Sequence, residues 1–290
     1  DLVVEGSANK LAKKVEHNLG RERVSILREN TCYKTVEMKV DGVLIDLASA
    51  RKETYPVPGA NPIVALTTLE DDLKRRDFTI NAIALDLIND EVIDLYNGKR
   101  AIAKKELEFL HSKSFEEDPT RIIRGARYAS RLGLEISPKS LSQIKSTLQN
   151  WPWSWAQGKS IKIAPPALGT RLRMELEILF NNEPWEKSIQ LLQEWGAILL
   201  IDKSLQEDSQ WRKRIENAIE LQINPLLAWI ACSPNAKDIA ARLQMPVGQQ
   251  KILTESIQVK DFISNIFMNE EYLDWTPSMW TYSIEDAKWQ

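Results

Sequence analysis

The hydrophobic spacing changes character near residue 99, and that change limits what the chain can fold into. Before it, short apolar runs sit between turn signals. Residues 2–4, 24–27, 36–40, 43–48 and 92–95 read as strands, and Asp41-Gly42 joins two of them as a tight hairpin turn. Ser7 reads as the cap of a helix running to Leu19, with Leu11, Ala12 and Val15 inward, and 69–73 and 78–87 read as further helix. After it, residues 119–132, 139–148, 166–180, 185–195, 210–221, 225–231 and 236–243 repeat at helical spacing. The class this implies is α+β: a small mixed sheet with helices, followed by an all-α remainder. Residues 51–68, with Pro56, Pro58, Gly59 and Pro62, read as a long loop, a length that is uncommon unless the loop is functional or mobile. Residues 148–165 hold Trp151, Trp153 and Trp155 around Pro152. They read as a linker or excursion whose indoles serve local packing or, beside Lys159 and Lys162, stack on bases.

Two segments carry chemistry. The first, Arg75-Arg76-Asp77-Phe78-Thr79-Ile80-Asn81-Ala82-Ile83-Ala84, puts two guanidinium groups, a carboxylate and an amide beside apolar side chains. Arg is a fixed fork of donors suited to phosphate or a base edge, and Asp can accept from a ribose hydroxyl. The second runs from Ser114 to Ala129 and contains Glu117-Asp118-Pro119-Thr120-Arg121-Ile122-Ile123-Arg124. Asp118 reads as a helix N-cap with Pro119 at the first helical position. Arg121, Arg124 and Arg127 then recur three residues apart, and Arg121 and Arg124 share a face with Asp118. Read singly, the first could be a solvated helix start and the second an ordinary basic helix face.

In this order the two segments resemble the class II tRNA nucleotidyltransferase and bacterial poly(A) polymerase family, closely up to about residue 135 and weakly beyond. The resemblance implies a nucleotidyltransferase head over 1–98, a helical neck over 99–183 that binds nucleotide and RNA, and a helical body over 184–290. It implies template-independent addition of CMP or AMP, from CTP and ATP, to the 3' end of tRNA. CC-only or A-only addition, poly(A) synthesis and a non-catalytic RNA-binding relic stand as alternatives. Arg76 and Asp77 would meet phosphate and the ribose 2'-hydroxyl, Asn81 the triphosphate or sugar, and Asp118 and Arg121 the Watson–Crick edge of the base. Arg124 would lie near phosphate or form a surface ion pair. Arg171 and Glu175, at i and i+4, resemble a later family element and would bridge along one helix.

The transfer needs divalent ions, and carboxylates on adjacent strands are the ligands Mg²⁺ prefers. Asp1 resembles the second Asp of the family's DxD pair, which follows a Gly-rich phosphate loop. The chain is therefore expected to be a fragment cut at its front and inactive as it stands. Asp46, set among Leu44, Ile45 and Leu47, is the other expected catalytic and metal-binding residue, or else accepts from Arg51 or Arg76. Tyr33-Lys34-Thr35 departs from the family's commoner Phe-Gly-Thr.

Composition narrows the alternatives. With 290 residues, 43% of them hydrophobic and ten Trp, the chain can bury a substantial core. The net charge of −3 gives no overall basic field, so an RNA partner must be held by local Arg and Lys. Cys32 and Cys232 lack metal-site spacing and point to a reducing cytoplasm. His17 and His111 are the only histidines, too few for His-rich metal or Ser/His chemistry. No long apolar run or signal peptide is visible.

Overall fold

A computed structural model describes residues 1–150, 164–268 and 271–286. The indoles of Trp151, Trp153 and Trp155, with Lys159 and Lys162, fall outside the described residues.

The first unit is a four-stranded sheet covered by one helix. Strand β1 (Leu2–Val4) leads into α1 (Ala8–Leu19), and the meander β2 (Val24–Asn30), β3 (Thr35–Val40) and β4 (Val43–Ser49) follows. The sheet order is β1-β4-β3-β2, with β1 parallel to β4 and the rest antiparallel. Ser7 caps α1 by accepting from the Lys10 N–H at 3.2 Å. The β3–β4 turn has φ of 48° at Asp41 and 86° at Gly42, the conformation that matches strand twist. Lys34, where the resembling family commonly has Gly, also takes a left-handed φ of 56°. Ala8 and Ala12 of α1 bury against Val24, Val36, Met38 and Leu47, with Leu11 and Val15 packed at the edge.

Two expectations fail in the next stretch. Residues 51–68 are not loop throughout: β5 (Arg51–Thr54) pairs antiparallel with β6 (Ile63–Leu66). Helix α2 (Leu69–Lys74), capped by Thr68, forms where expected, but residues 78–87 do not continue as helix. Phe78 instead bridges Phe109, while Thr79 N–H donates to the Glu108 carbonyl and Leu110 N–H to the Asp77 carbonyl. A single 3₁₀ turn, Thr79–Asn81, precedes β7 (Ala84–Asp86), which pairs with β8 (Glu91–Ile93). The Asp86 carboxylate accepts from Ile88 N–H and so stabilises the turn between them. Side-chain turn chemistry and strand pairing override the helical period here.

The remainder is helical. Helix α3 (Gly98–Ala103), β9 (Glu106–Leu107), α4 (Ser114–Glu117), α5 (Thr120–Leu132), β10 (Glu135–Ile136), α6 (Pro138–Gln149) and α7 (Pro166–Asn182) come first. Then come α8 (Trp185–Glu194), α9 (Lys203–Gln206), α10 (Trp211–Glu220), α11 (Pro225–Ala231), α12 (Ala236–Arg242), α13 (Val247–Met268) and α14 (Pro277–Asp286), the last two beyond the reach of the sequence reading. The apolar faces of α4 to α13 join one core that begins at Phe78 and runs through Phe109, Phe115 and Ile122 to Trp229 and Leu253. Phe78 and Phe109 pack with ring centroids 4.6 Å apart and both are fully buried, each contributing roughly 1.5–3 kcal/mol. Thus the segment around Phe78 lies against the helices, not inside the first sheet's core. No described helix is long and apolar enough to cross a membrane.

Gly98 fixes the approach of α3 to the turn at Thr79. A Cβ there would lie 2.4 Å from the Thr79 carbonyl oxygen and 2.6 Å from Ile83 Cγ1. Gly98→Ala should therefore destabilise by about 1–3 kcal/mol. Gly248→Ala, with nothing within 4 Å of the added carbon, should be neutral or stabilising. Thermal unfolding of both variants checks the contrast, and equal effects would refute it.

Candidate functional site

The two chemical segments meet where α2 ends and α5 begins. Asp72, fully buried on α2, is the anchor. Its Oδ1 accepts from Arg75 Nη2 at 2.7 Å and Nε at 3.0 Å, and from Arg51 N–H at 3.1 Å. Its Oδ2 accepts from Arg76 Nη2 at 3.1 Å. A buried carboxylate is tolerated only with such partners. Arg75 continues to Glu53 at 2.9 Å and to the Arg51 carbonyl at 2.8 Å, so it is committed to structure. Arg76 donates to the Asn81 carbonyl at 2.9 Å, yet its side chain remains 29% exposed. Burial, then the neighbouring Arg75, lowers the Arg51 pKa from its usual range, and Glu53 and Asp72 work against that.

Asp77 is the hinge of the arrangement. It is buried, and its Oδ1 accepts from Phe78 N–H and from Asn81 Nδ2, both at 2.9 Å. Its Oδ2 accepts from Arg124 Nε at 2.8 Å. Arg124 also lies 3.5 Å from Glu175 and over the Tyr128 ring at 5.7 Å. Burial works against the Arg124 cation, but Asp77, Tyr128 and Glu175 outweigh it and raise its pKa. Burial raises Glu175, with Arg124 and Arg127 opposing. Most acceptor positions of Asp77 are taken by protein donors, so any further donor would share this carboxylate with Phe78 N–H, Asn81 and Arg124.

Asp118 is extended (φ −142°, ψ 94°) and Pro119 is already helical (φ −67°, ψ −15°). Asp118 Oδ1 accepts from Thr120 N–H at 3.1 Å, so the expected cap with Pro at the first turn is present. Its carboxylate lies 3.7 Å from Arg171, whose Nη2 donates to the Gly59 carbonyl at 2.8 Å. Gly59 N–H donates to the Glu117 carbonyl at 3.1 Å, which closes the tip of the β5–β6 loop onto the helices. Arg121 is 6% exposed and held by Ser114 Oγ, His111 and the Arg75 carbonyl. Tyr55 approaches the same place and donates to Glu53 at 3.0 Å; burial, then Glu53, raises its pKa.

The expected carboxylate pair lies on the four-stranded sheet of the head. Leu2 of β1 is in register with Leu47 of β4. Carrying that register back one residue sets Asp1 alongside Asp46, on the sheet face opposite Leu47. Both are exposed. The sequence reading set Asp46 in a buried strand environment, and the structure corrects this: alternation turns Ile45 and Leu47 towards α1 and leaves Asp46 facing out. Arg51 and Arg76 do not serve it, being bound to Glu53 and Asp72. Among the described residues no group of three or more His, Cys, Asp or Glu converges to hold a metal. A pair of hard oxygen donors side by side on an open face still suits a divalent ion that keeps several waters.

The expected Arg171–Glu175 bridge is not the pairing found. Arg171 turns to Gly59 and Asp118, and Glu175 pairs with Arg127 and Arg124. Arg127 reaches on to Glu183 at 3.0 Å, which Arg131 also meets at 3.1 Å. Sequence reasoning missed Asp72, Glu53, Tyr55, His111 and Ser114. Only Asp72 left a signal, its i+3 and i+4 spacing to Arg75 and Arg76 on a helix end.

Residues 1–108 match the family described as the poly A polymerase head domain. An A-adding tRNA nucleotidyltransferase of Aquifex aeolicus is 31% identical over 218 residues, covering 74% of this chain and 24% of that protein. A CC-adding tRNA nucleotidyltransferase of Deinococcus radiodurans is 42% identical over 140 residues, covering 46% of this chain and 37% of that one. The chain thus spans well under half the length of these curated relatives. A CCA-adding enzyme in an apo form shares the fold with a TM-score of 0.69 at 22% identity, over 92% of this chain and 64% of that chain. The chain therefore carries the poly A polymerase head domain over residues 1–108 and is similar, over the stretches given, to tRNA nucleotidyltransferases.

Proposed function

We propose that this chain is the catalytic part of a cytoplasmic, template-independent nucleotidyltransferase. It transfers CMP, AMP or both from CTP and ATP to the 3' end of tRNA and releases pyrophosphate. The observation that carries this reading is the Arg124–Asp77 bond at 2.8 Å, which joins the two chemical segments, 47 positions apart, into one site. Asp118 and Arg121 read the base edge, the carboxylate accepting an exocyclic amine and the guanidinium donating to a ring nitrogen or carbonyl. Arg76 meets phosphate with the part of its fork that Asp72 and Asn81 leave free. Asp77, Asn81 and Arg124 form the sugar and phosphate side. Asp1 and Asp46 would hold Mg²⁺, which would supply charge neutralisation for the triphosphate. The head over 1–98 supplies the carboxylates, the neck over 99–183 reads the nucleotide, and the body over 184–290 carries the tRNA.

The relatives include A-adding, CC-adding and CCA-adding enzymes, so the added sequence is a matter for experiment. For the whole enzyme of which this chain is proposed to be the catalytic part, transcripts ending before CCA, after CC and after CCA, each offered one NTP at a time, separate the readings. Extension of only the CC-ended transcript, by ATP alone, identifies an A-adding enzyme; CTP use on the unextended transcript excludes that.

Asp118→Ala or Arg121→Ala should erase discrimination among NTPs at a cost of about 1–3 kcal/mol, with triphosphate affinity nearly kept. Single-turnover incorporation of each NTP measures this, and equal loss for all four NTPs at unchanged selectivity contradicts the assignment. Asp46→Asn should lower the rate of transfer far more than NTP affinity and raise the Mg²⁺ concentration needed. Full activity at the original Mg²⁺ requirement would remove Asp46 from the metal site.

A further inference from the structure

Arg121 can present one edge to a base only if its guanidinium is held in place. Its Nη1 donates to Ser114 Oγ at 2.8 Å and lies 3.4 Å from His111 Nε2. Its Nη2 donates to the Arg75 carbonyl at 3.1 Å. Ser114 is fully buried, while the His111 side chain is 26% exposed. The backbone on both sides of His111 is tied down. Leu110 N–H donates to the Asp77 carbonyl at 3.1 Å, and Ser114 N–H donates to the His111 carbonyl at 3.2 Å. The ring therefore has a fixed place beside Arg121, in the stretch that links the two chemical segments.

We infer that His111 is a positioning residue for Arg121: its Nε2 accepts from the guanidinium and, with Ser114, sets the direction in which that fork meets the base. The inference rests on the reading of Arg121 as a base-reading group. A guanidinium is always charged and only donates, so the nitrogen facing it must offer a lone pair. The neutral ring with its proton on Nδ1 does so, and an imidazolium does not.

The surrounding charges favour that state. Burial, then Arg121 on α5 and Lys74 at the end of α2, pushes the His111 pKa down to about 4. Glu117 on α4 comes within 3.5 Å of the same nitrogen. Its own pKa is raised by burial, against Arg121 and Lys113. An ion pair between Glu117 and a protonated ring would set an imidazolium against Arg121, and the guanidinium at 3.4 Å weighs against it. Throughout the neutral range the ring keeps one protonation state and Arg121 one set of acceptors.

The chain has two histidines, so one variant, His17→Gln, assigns the ring-nitrogen resonances of His111. The expected spectrum shows a neutral ring with Nε2 unprotonated that does not titrate near the ordinary value of about 6.5. Arg121→Met should move its midpoint up towards that value. A ring that titrates normally and ignores Arg121→Met overturns the inference, whatever the protein's activity. Equilibrium binding of CTP and UTP provides the second arm. His111→Leu should narrow the CTP to UTP affinity ratio about tenfold while the melting temperature is kept. His111→Gln, whose side-chain oxygen can accept, should recover most of the ratio. An unchanged ratio in His111→Leu overturns the selectivity role. A wild-type protein that binds CTP and UTP alike overturns the base-reading role of Arg121 itself, and the ring titration still decides whether His111 holds that side chain.

Discussion

The bond between Arg124 and Asp77 is the interaction on which the site depends. Asp77 sits in the stretch that follows the sheet unit, and Arg124 is one turn into α5. Phe78, next to Asp77, packs edge-on against Tyr128 of α5, and the charge-assisted bond adds a second tie between a buried carboxylate and a part-exposed guanidinium. Because the same Asp77 carboxylate also holds Phe78 N–H and Asn81, the bond fixes the backbone that carries the amide and the aromatic anchor together. Phe78 then locks this backbone into the helical core beside Phe109.

Arginines crowd this region, and most of them are occupied. Arg75 serves Asp72 and Glu53, Arg127 serves Glu175 and Glu183, and Arg171 serves Gly59 and Asp118. Each buried carboxylate neutralises a nearby guanidinium, which keeps a dense cationic site from repelling itself apart. Arg76 and Arg124 keep some exposure, at 29% and 36% of their side chains. Under the function proposed above, these two cations meet the phosphates. The net charge of −3 agrees with the proposed local scheme, in which an RNA partner is held by placed cations and not by the whole protein's field.

Much of this was legible in the sequence because local rules and tertiary structure agree there. Ser7, Asp41-Gly42 and Pro119 mark element ends by side-chain or φ preferences that survive in any context. The segments around Asp77 and Asp118 stood out as chemistry because their residue types and spacing match a family's motifs. The failures have physical causes. Residues 78–87 carry helical spacing, but pairing of Phe78 with Phe109 and the Asp86 turn win. Asp46 looked buried because its neighbours are apolar, yet strand alternation turns it out. Arg171 and Glu175 have the right spacing to pair, but partners from Gly59, Asp118, Arg124 and Arg127 satisfy them better. His111 and Ser114 gave no signal, since their role exists only once α5 brings Arg121 to them.

The most direct test is a double-mutant cycle between Asp77→Asn and Arg124→Met, read as CTP affinity. If the two residues act as one joint between the chemical segments, the losses will be non-additive, with a coupling of about 0.5–3 kcal/mol. Strictly additive losses would mean that the bond does not assemble the site, and the account built on it would fail.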